Sequence, residues 1–247
     1  MTGEAAVRLN KYSEVRESIY GKHVRSSDML LTGLIYGCTA VSLLILVGIL
    51  GYTFVRGIPH VTWSFLSTAS SAVKGTFGIL GNIINTIYIV VITLLIATPI
   101  GVGSAVYLNE YAKPGKIVRM IEFTTETLSG IPSIIFGLFG MVFFGNTIGL
   151  GYSILTGSLT LTLMILPLIT RTTQEALKTV PDSYRHGALG IGATKWYMIR
   201  TILLPSAMPG IVTGVILAIG RIVGESAALL FTAGSGYYLP KNILGKI

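Results

Sequence analysis

Long apolar runs separated by short polar segments form the main pattern along this chain. A run of about 20 apolar residues is long enough to cross the hydrocarbon core of a membrane as a helix. We therefore predict an all-α, polytopic membrane protein. Its five spans are expected at residues 29–55, 79–108, 126–144, 152–170 and 206–231.

Polar segments at both ends are interpreted as lying outside the bilayer. Residues 1–28 mix basic and acidic side chains and are too long and too mixed in charge for the n-region of a signal peptide. We expect them to form a cytoplasmic N-terminal segment before a membrane domain at 29–231. Residues 232–247 contain no sixth apolar run, and we expect an extracytoplasmic C-terminal segment there.

Small residues recur within the predicted spans and indicate close helix packing. Gly210, Gly214 and Ala218 form one row in the fifth span, and the third span contains Gly137 and Gly140. Rows of this kind allow the backbones of two membrane helices to approach closely. We expect helix contacts at these positions.

Composition agrees with the membrane class and argues against a nucleic-acid-binding protein. The mean hydropathy is +0.74, and only 11% of the residues are charged. Although the net charge is +8, the basic residues collect in particular loops rather than on one helical face. The single cysteine, Cys38, can form no internal disulfide.

The distribution of basic residues predicts the orientation in the membrane. Five lie in residues 1–28, three in a predicted loop at 109–125, and five in a polar segment at 171–205. The opposite side has only Arg56, Lys74, Lys241 and Lys246. Because cytoplasmic loops are enriched in Lys and Arg, the N-terminus and residues 171–205 are predicted to be cytoplasmic.

Residues 171–205 have the pattern of a short helix, a glycine turn and a second helix. Val180-Pro181-Asp182-Ser183 is typical of a helix start, and Gly187, Gly190 and Gly192 are expected to interrupt the helical run. A second helix would then continue until Pro205 stops or kinks it. Gly187 and Gly192 have phosphate-loop spacing, but the Lys and Ser/Thr that must follow are absent, so no ATP site is predicted.

One part of this segment resembles the EAA loop of ABC importer permeases. His186-Gly187-Ala188 is followed after three residues by Gly192 and, nine residues later, by Ile202-x-Leu204-Pro205. The resemblance implies a coupling helix that docks on cytoplasmic ATPase subunits. His186 replaces the Glu of the motif and is either a solvated side chain or a pH-sensing group. The residues that the resemblance assigns to ATPase coupling are Val180, Pro181, Ser183, Tyr184, Arg185, His186, Gly187, Ala188, Gly192 and Ala193.

Two charged residues, Arg221 and Glu225, lie four apart in the predicted fifth span. A charge at the centre of a membrane helix costs about 2.5 to 3.5 kcal/mol, so both side chains should face protein or water. The spacing of four residues places them on one helical face, where we expect them to face each other. One interpretation is a buried ion pair that fixes helix packing. The other is a lining of the substrate path, where an arginine suits an anion.

The segment Arg221-x-x-Gly224-Glu225-Ser226-Ala227 resembles phosphate importer permeases of the PstA type, as do residues 130–140 and 175–185. The resemblance implies a type I ABC importer permease bundle, with six spans in the family, in the prokaryotic cell membrane. It implies inorganic phosphate as substrate, with Arg221 contacting the anion. No cofactor is expected in this chain, since ATP and Mg would be bound by partner subunits. The implied partners are a second permease (PstC type), two ATP-binding subunits (PstB type), an extracytoplasmic phosphate-binding protein (PstS type) and membrane lipid.

Three alternatives stay open from the residues alone. The permease could carry another oxyanion, such as molybdate, sulfate or phosphonate, because an arginine does not choose among them. A secondary transporter could use Glu225 as a proton site and would need no ATPase. A membrane enzyme is disfavoured, because H-E-x-x-H and G-x-S-x-G motifs are absent and His23, His60 and His186 are scattered over predicted loops.

Overall fold

The computed structural model describes residues 26–71 and 75–234. Most of the predicted N-terminal segment, and the C-terminal segment from residue 235, lie outside these residues. The chain divides into two units between Thr62 and Trp63. In the first unit, helix α1 (Ser26–Gly57) precedes a 3-10 turn at Ile58–His60, which confirms the predicted first apolar span.

Residues 56–78, between the predicted first and second spans, contain regular structure where the second unit begins. Helix α2 (Trp63–Ser67) is followed by strands β1 (Ala69–Ser71) and β2 (Thr76–Ile79). The two strands are antiparallel, with Ala69 opposite Ile79 and Ser71 opposite Thr76. This small sheet leads directly into the second long helix.

Three further helices are long and apolar enough to cross a membrane. Helix α3 is α-helical over Leu80–Val106 and continues as a π-helical turn over Tyr107–Tyr111. A bent pair of helices follows, α4 (Lys116–Ser129) and α5 (Ser133–Thr147). After it come α6 (Ile154–Lys178), α7 (Asp182–Gly190) and α8 (Lys195–Val223). The predicted second and fourth spans are therefore confirmed as helices, and the fifth is confirmed as a helix as far as Val223.

The boundaries of α6 and α8 differ from the predicted ones. Helix α6 runs past residue 170 to Lys178, and α8 begins at Lys195 rather than at residue 206. Pro205 neither stops nor starts it, because a π-helical turn at Ile199–Leu203 precedes the proline. The wider turn gives the pyrrolidine ring room within a continuous helix.

The predicted third span is wrong as a single straight helix. Helix α4 (Lys116–Ser129) and α5 (Ser133–Thr147, π-helical from Met141) meet at a bend of 99°. Pro132 is extended there, and a proline disfavours helical geometry in the residue before it. Most of the predicted basic loop at 109–125 is therefore part of a helix.

The predicted fifth span also breaks before its expected end. Helix α8 ends at Val223, and a short helix α9 (Ala227–Thr232) follows. Gly224 lies directly after α8, and Glu225 lies in the non-helical connection. The two intramembrane charges of the sequence therefore do not share one helical face.

Helix α6 lies at the centre of the second unit. It packs against α3 and α8 and also contacts α4, α5 and α9. Leu161, Ile165 and Ile169 are almost fully buried, and so are polar residues such as Thr160 and Thr173. With 67% of its apolar stretch buried, more than in any other long helix of the described residues, α6 provides the fixed element around which the other spans are arranged.

Glycines permit the closest of these contacts, as the small-residue rows predicted. A Cβ at Gly210 would lie 2.5 Å from the Cβ of Ala176 on α6, and a Cβ at Gly214 would overlap the Thr172 hydroxyl. In the third predicted span, a Cβ at Gly137 would lie 2.8 Å from the Cα of Ala228. A larger residue at these points would force the neighbouring helix or its side chains to shift.

Candidate functional site

The predicted coupling segment folds as a helix, a tight turn and a second helix, in agreement with the sequence. Pro181 is extended and precedes the first turn of α7, so the predicted helix start is confirmed. Gly187 and Gly190 do not interrupt the helix, because both lie inside α7. Gly192, just beyond the end of α7, has the left-handed backbone conformation of this turn.

Gly192 ends α7 in a Schellman arrangement. Its φ is +84°, a left-handed conformation that costs other residues free energy. The Gly192 amide donates to the carbonyl of Leu189 (3.0 Å), and the Ala193 amide donates to the carbonyl of Ala188 (3.0 Å). Thr194 then accepts from the Tyr197 amide through its side chain and starts α8.

Some residues of the coupling set face inward and hold this segment on the membrane domain. Val180 and Ala188 are buried in one apolar cluster with Met198, Ile199 and Leu203 of α8. Their side chains are not available to a partner protein. They fix the angle at which α7 leaves the membrane helices.

Other residues of the set form an exposed face of α7 that is available to a partner. Tyr184 and His186 are exposed, and Ser183 and Gly187 are exposed beside them. The sequence analysis missed Ile191, which is 87% exposed and adds an apolar side chain to this face. An isolated isoleucine between two glycines of a polar segment was the signal that could have identified it.

Arg185, assigned by resemblance to the same set, points inward instead. Its side chain is only 17% exposed, and the Glu110 side chain beside it is 6% exposed. The shortest Arg185–Glu110 contact, from Nη2 to Oε1, is 3.0 Å. Sequence analysis missed Glu110, because it lies 75 residues away at the end of α3.

A charged groove separates α4 from the end of α6. Arg171 lies 3.1 Å from Glu126 on α4 and 3.6 Å from Glu175 on its own helix, and all three side chains are at least half exposed. The groove contains a cavity of about 240 Å³, which Gln174 and Lys178 also line. Exposed pairs of this kind contribute little to stability, so the groove is better described as a hydrated charged surface.

Arg221 and Glu225 do not form the ion pair that the sequence suggested. Within residues 26–71 and 75–234 no ion pair includes Arg221, whose residue is exposed near the end of α8. Glu225 is half-buried and accepts a hydrogen bond from the Ala228 amide through Oε1 (3.0 Å). The carboxylate therefore holds the start of α9 rather than the guanidinium.

Glu225 also lines a polar cavity of about 210 Å³ with Ser226 and with Asn82 and Thr86 of α3. Asn82 is half-buried and Asn85 is buried, and both line this cavity. The cavity lies at the opposite end of α3 from Glu110. It places a carboxylate, a hydroxyl and an amide around one space.

A family model described as the inner membrane component of binding-protein-dependent transport systems matches residues 97–247. The chain belongs to this family. The match includes α4 to α9, and therefore both the coupling segment and Arg221.

Individual relatives agree with the family. The chain is 43% identical over 208 residues to a probable ABC transporter permease, YqgI of Bacillus subtilis, across 84% of this chain and 71% of that protein. It is 35% identical over 219 residues to the phosphate transport system permease PstA of Haemophilus influenzae, across 89% and 77%. Among solved structures, it is similar to an inward-facing MetNI methionine ABC transporter, with TM-score 0.53 and 25% identity over 64% of this chain and 74% of that one.

These findings confirm several predictions made from the sequence. The chain is a multi-pass permease subunit of an ABC importer in the inner membrane, with the type I permease fold, and it is not an enzyme. Membership implies an ATPase partner and a permease partner. The roles of individual residues and the substrate are separate questions.

Proposed function

We propose that this permease imports inorganic phosphate. It would form half of the translocation path together with a second permease of the PstC type. An extracytoplasmic binding protein of the PstS type would deliver the anion. Two subunits of the PstB type would bind ATP and Mg and supply the energy, so no cofactor is required in this chain.

The observation that carries the proposal is the similarity to phosphate permeases over most of the chain. The PstA protein of Haemophilus influenzae is 35% identical across 89% of this chain, and a PstA protein of Xylella fastidiosa is 32% identical across 78%. The general name of the Bacillus relative, with 43% identity, does not state a substrate. Phosphate is the substrate that the more specific names support.

Arg221 supports an anionic substrate. A guanidinium has five N–H donors and stays protonated, so it needs acceptors. No carboxylate in the described part of the chain pairs with Arg221, and its planar donor arrangement matches two oxygens of a phosphate. Glu225 would help to shape the path through the polar cavity that it lines.

The exposed face of α7 supports an ATPase contact. Tyr184 and Ile191 are large and exposed on a segment that is otherwise polar, and Gly187 leaves open space beside His186. Aromatic and apolar side chains surrounded by polar residues are typical of protein interfaces. Ser183, His186 and Gly187 would form the polar part of that contact.

The test of the substrate is uptake of radiolabelled phosphate by cells that lack their own high-affinity phosphate transport and express the permease with its partners. We expect saturable uptake that requires this chain and is not reduced by excess molybdate, sulfate or phosphonate. If one of these oxyanions competes for uptake and is itself accumulated, that oxyanion is the substrate and the phosphate proposal is wrong.

A further inference from the structure

We propose that Glu110 is a positioning residue of transport, which holds Arg185 and so makes the coupling helix α7 and the end of α3 move as one body. This inference rests on the proposed role of α7 in ATPase coupling. Along the chain, α7 is joined to α6 and α8. The contact with Glu110 adds a route by which movement of α7 also reaches α3.

Every N–H donor of Arg185 has a partner, so this arginine has nothing left to offer an ATPase. Nε donates to Glu110 (3.2 Å), Nη1 to Asp182 (2.9 Å) and to the Val180 carbonyl (2.9 Å). Nη2 donates to Glu110 (3.0 Å) and to the Leu177 carbonyl (2.9 Å). These contacts account for all five donors of a guanidinium.

The partners of Arg185 belong to four different parts of the chain. Leu177 lies in the last turn of α6, where carbonyl groups lack helical partners, and Val180 lies in the connection to α7. Asp182 lies in the first turn of α7 itself. Glu110 alone belongs to α3, so it alone connects Arg185 to a distant span.

The position of Glu110 is fixed on its own side of the contact. It lies in the π-helical turn Tyr107–Tyr111, and its Oε1 also accepts from the side-chain amide of Asn109 (2.8 Å). Such turns displace side chains relative to a regular α-helix and are frequent at functional sites. The carboxylate is therefore held toward Arg185 rather than free to follow solvent.

Burial favours a mechanical role over a purely stabilising one. The Glu110 and Arg185 side chains are 6% and 17% exposed, so both have lost most of their hydration. The desolvation cost of such a pair offsets much of its attraction, and apolar replacements often stabilise a protein equally well. A buried ion pair does, however, specify one relative position of the two elements that it joins.

The exposed pair Arg171–Glu126 provides a contrast within the same chain. Its side chains are 52% and 64% exposed, so water competes for both charges and the link between α4 and α6 is weak. The Arg185–Glu110 contact is shielded from this competition. It is the stronger candidate for transmitting force between two helices.

The experiment measures phosphate imported per ATP hydrolysed by the assembled complex in proteoliposomes. Glu110→Gln keeps the size of the side chain but removes its charge. We expect imported phosphate per ATP to fall by about two- to thirtyfold, the range found for residues that carry coupling between sites. A purely structural role would lower the amount of complex and leave this ratio unchanged.

Asp182→Asn is the matched control, because it removes another carboxylate from the same guanidinium. The Asp182 side chain is 80% exposed and does not connect Arg185 to α3. We expect imported phosphate per ATP in Asp182→Asn to equal that of the wild type. If Asp182→Asn and Glu110→Gln lower the ratio equally, the specific link to α3 is refuted.

A covalent cross-link between positions 110 and 185 tests the connection of α3 to α7 independently of the hydrogen bonds that Arg185 donates to carbonyl groups. Glu110→Cys and Arg185→Cys would be combined in a Cys38→Ser background, which has no other cysteine. Cross-linking the two cysteines with a short reducible bis-thiosulfonate reagent should restore imported phosphate per ATP to the wild-type value. Adding a reductant should lower it again. The inference is overturned if the cross-linked complexes do not recover their imported phosphate per ATP. It is also overturned if Glu110→Gln has the same imported phosphate per ATP as a wild type that shows ATP-driven uptake. Either result leaves the proposed function intact.

Discussion

Two arginines of this permease show how environment decides the role of one residue type. Arg185 is largely buried and gives all five of its donors to groups of the protein. Arg221 is exposed and has no ion pair within the described residues. The first is therefore suited to fix structure, and the second is suited to meet an anion.

Replacing Arg221 tests its role as an anion contact. Arg221→Gln should abolish or strongly reduce phosphate uptake and leave the amount of assembled complex unchanged, because no carboxylate loses its partner. Arg221→Lys should restore uptake only in part, since an ammonium cannot reproduce the planar donor pair of a guanidinium. Phosphate uptake and membrane abundance would be measured together for each variant.

The double variant Arg221→Gln with Glu225→Gln distinguishes this role from a structural ion pair. If the two residues stabilised each other as a buried pair, the single change would cost about 3 to 5 kcal/mol and the double change would restore both assembly and uptake. The separate contacts of Glu225 predict no such restoration. Full uptake in the double variant is incompatible with Arg221 binding the anion.

Gly192 tests the turn that positions α7. The structure shows open space around Gly192 and a φ of +84°, so the backbone conformation, and not a lack of room, restricts this position. Gly192→Leu should therefore cost about 1 to 2 kcal/mol through backbone strain and reduce coupled uptake. Gly190→Leu is the matched control, because Gly190 also has open space but helical geometry. Equal, normal uptake in both variants at normal abundance would contradict the assignment of this turn to coupling.

At the scale of elements, the sequence predicted the long helices but not their breaks. Apolar runs identified α1, α3, α6 and α8, because each must be about 20 residues long to cross the membrane. The 99° bend before Pro132 lies inside the segment that was predicted as one span, so hydropathy alone could not locate it. Most of α4, up to residue 125, was assigned to a loop because its basic residues were counted without its helical spacing.

For the candidate site, the sequence predicted the local structure of the coupling segment but not which of its side chains face inward. The helix, turn and helix of the coupling segment followed from proline, glycine and apolar spacing, and the structure confirms them. Which side chains face inward depends on contacts with other elements, as Arg185 and Glu110 show. The break at Gly224, which separates Arg221 from Glu225, likewise depends on the packing of α9.

Packing of α8 on α6 depends on the small-residue row. A Cβ at Gly214 would overlap Thr172, whereas Gly220 on the same helix has open space. Gly214→Leu should therefore destabilise the protein by about 1 to 3 kcal/mol through overpacking. Gly220→Leu should have almost no effect.

The measurement is the thermal unfolding midpoint of the purified complex in detergent, followed for both variants. We expect a lower midpoint for Gly214→Leu only. The close approach of α8 and α6 would be disproved by equal midpoints for the wild type and both variants.

For the whole molecule, the exposed apolar surface agrees with a subunit that is covered by lipid and by other chains. Large apolar side chains are exposed along the spans, as at Leu95 of α3 and Ile216 of α8. Extensive exposed apolar surface marks the places where a protein contacts a membrane or another protein. The polar face of α7 and the cavity beside Glu225 interrupt this apolar surface at two separate places.

The central claim is that ATP, acting through α7, drives phosphate through this permease. It is tested most directly by reconstituting the complex in proteoliposomes and measuring phosphate accumulation with either ATP or an imposed proton gradient as the sole energy source. The account predicts accumulation with ATP and the loaded binding protein, and none with the proton gradient. Accumulation driven by the proton gradient without ATP would contradict it and would favour a proton-coupled transporter that uses Glu225.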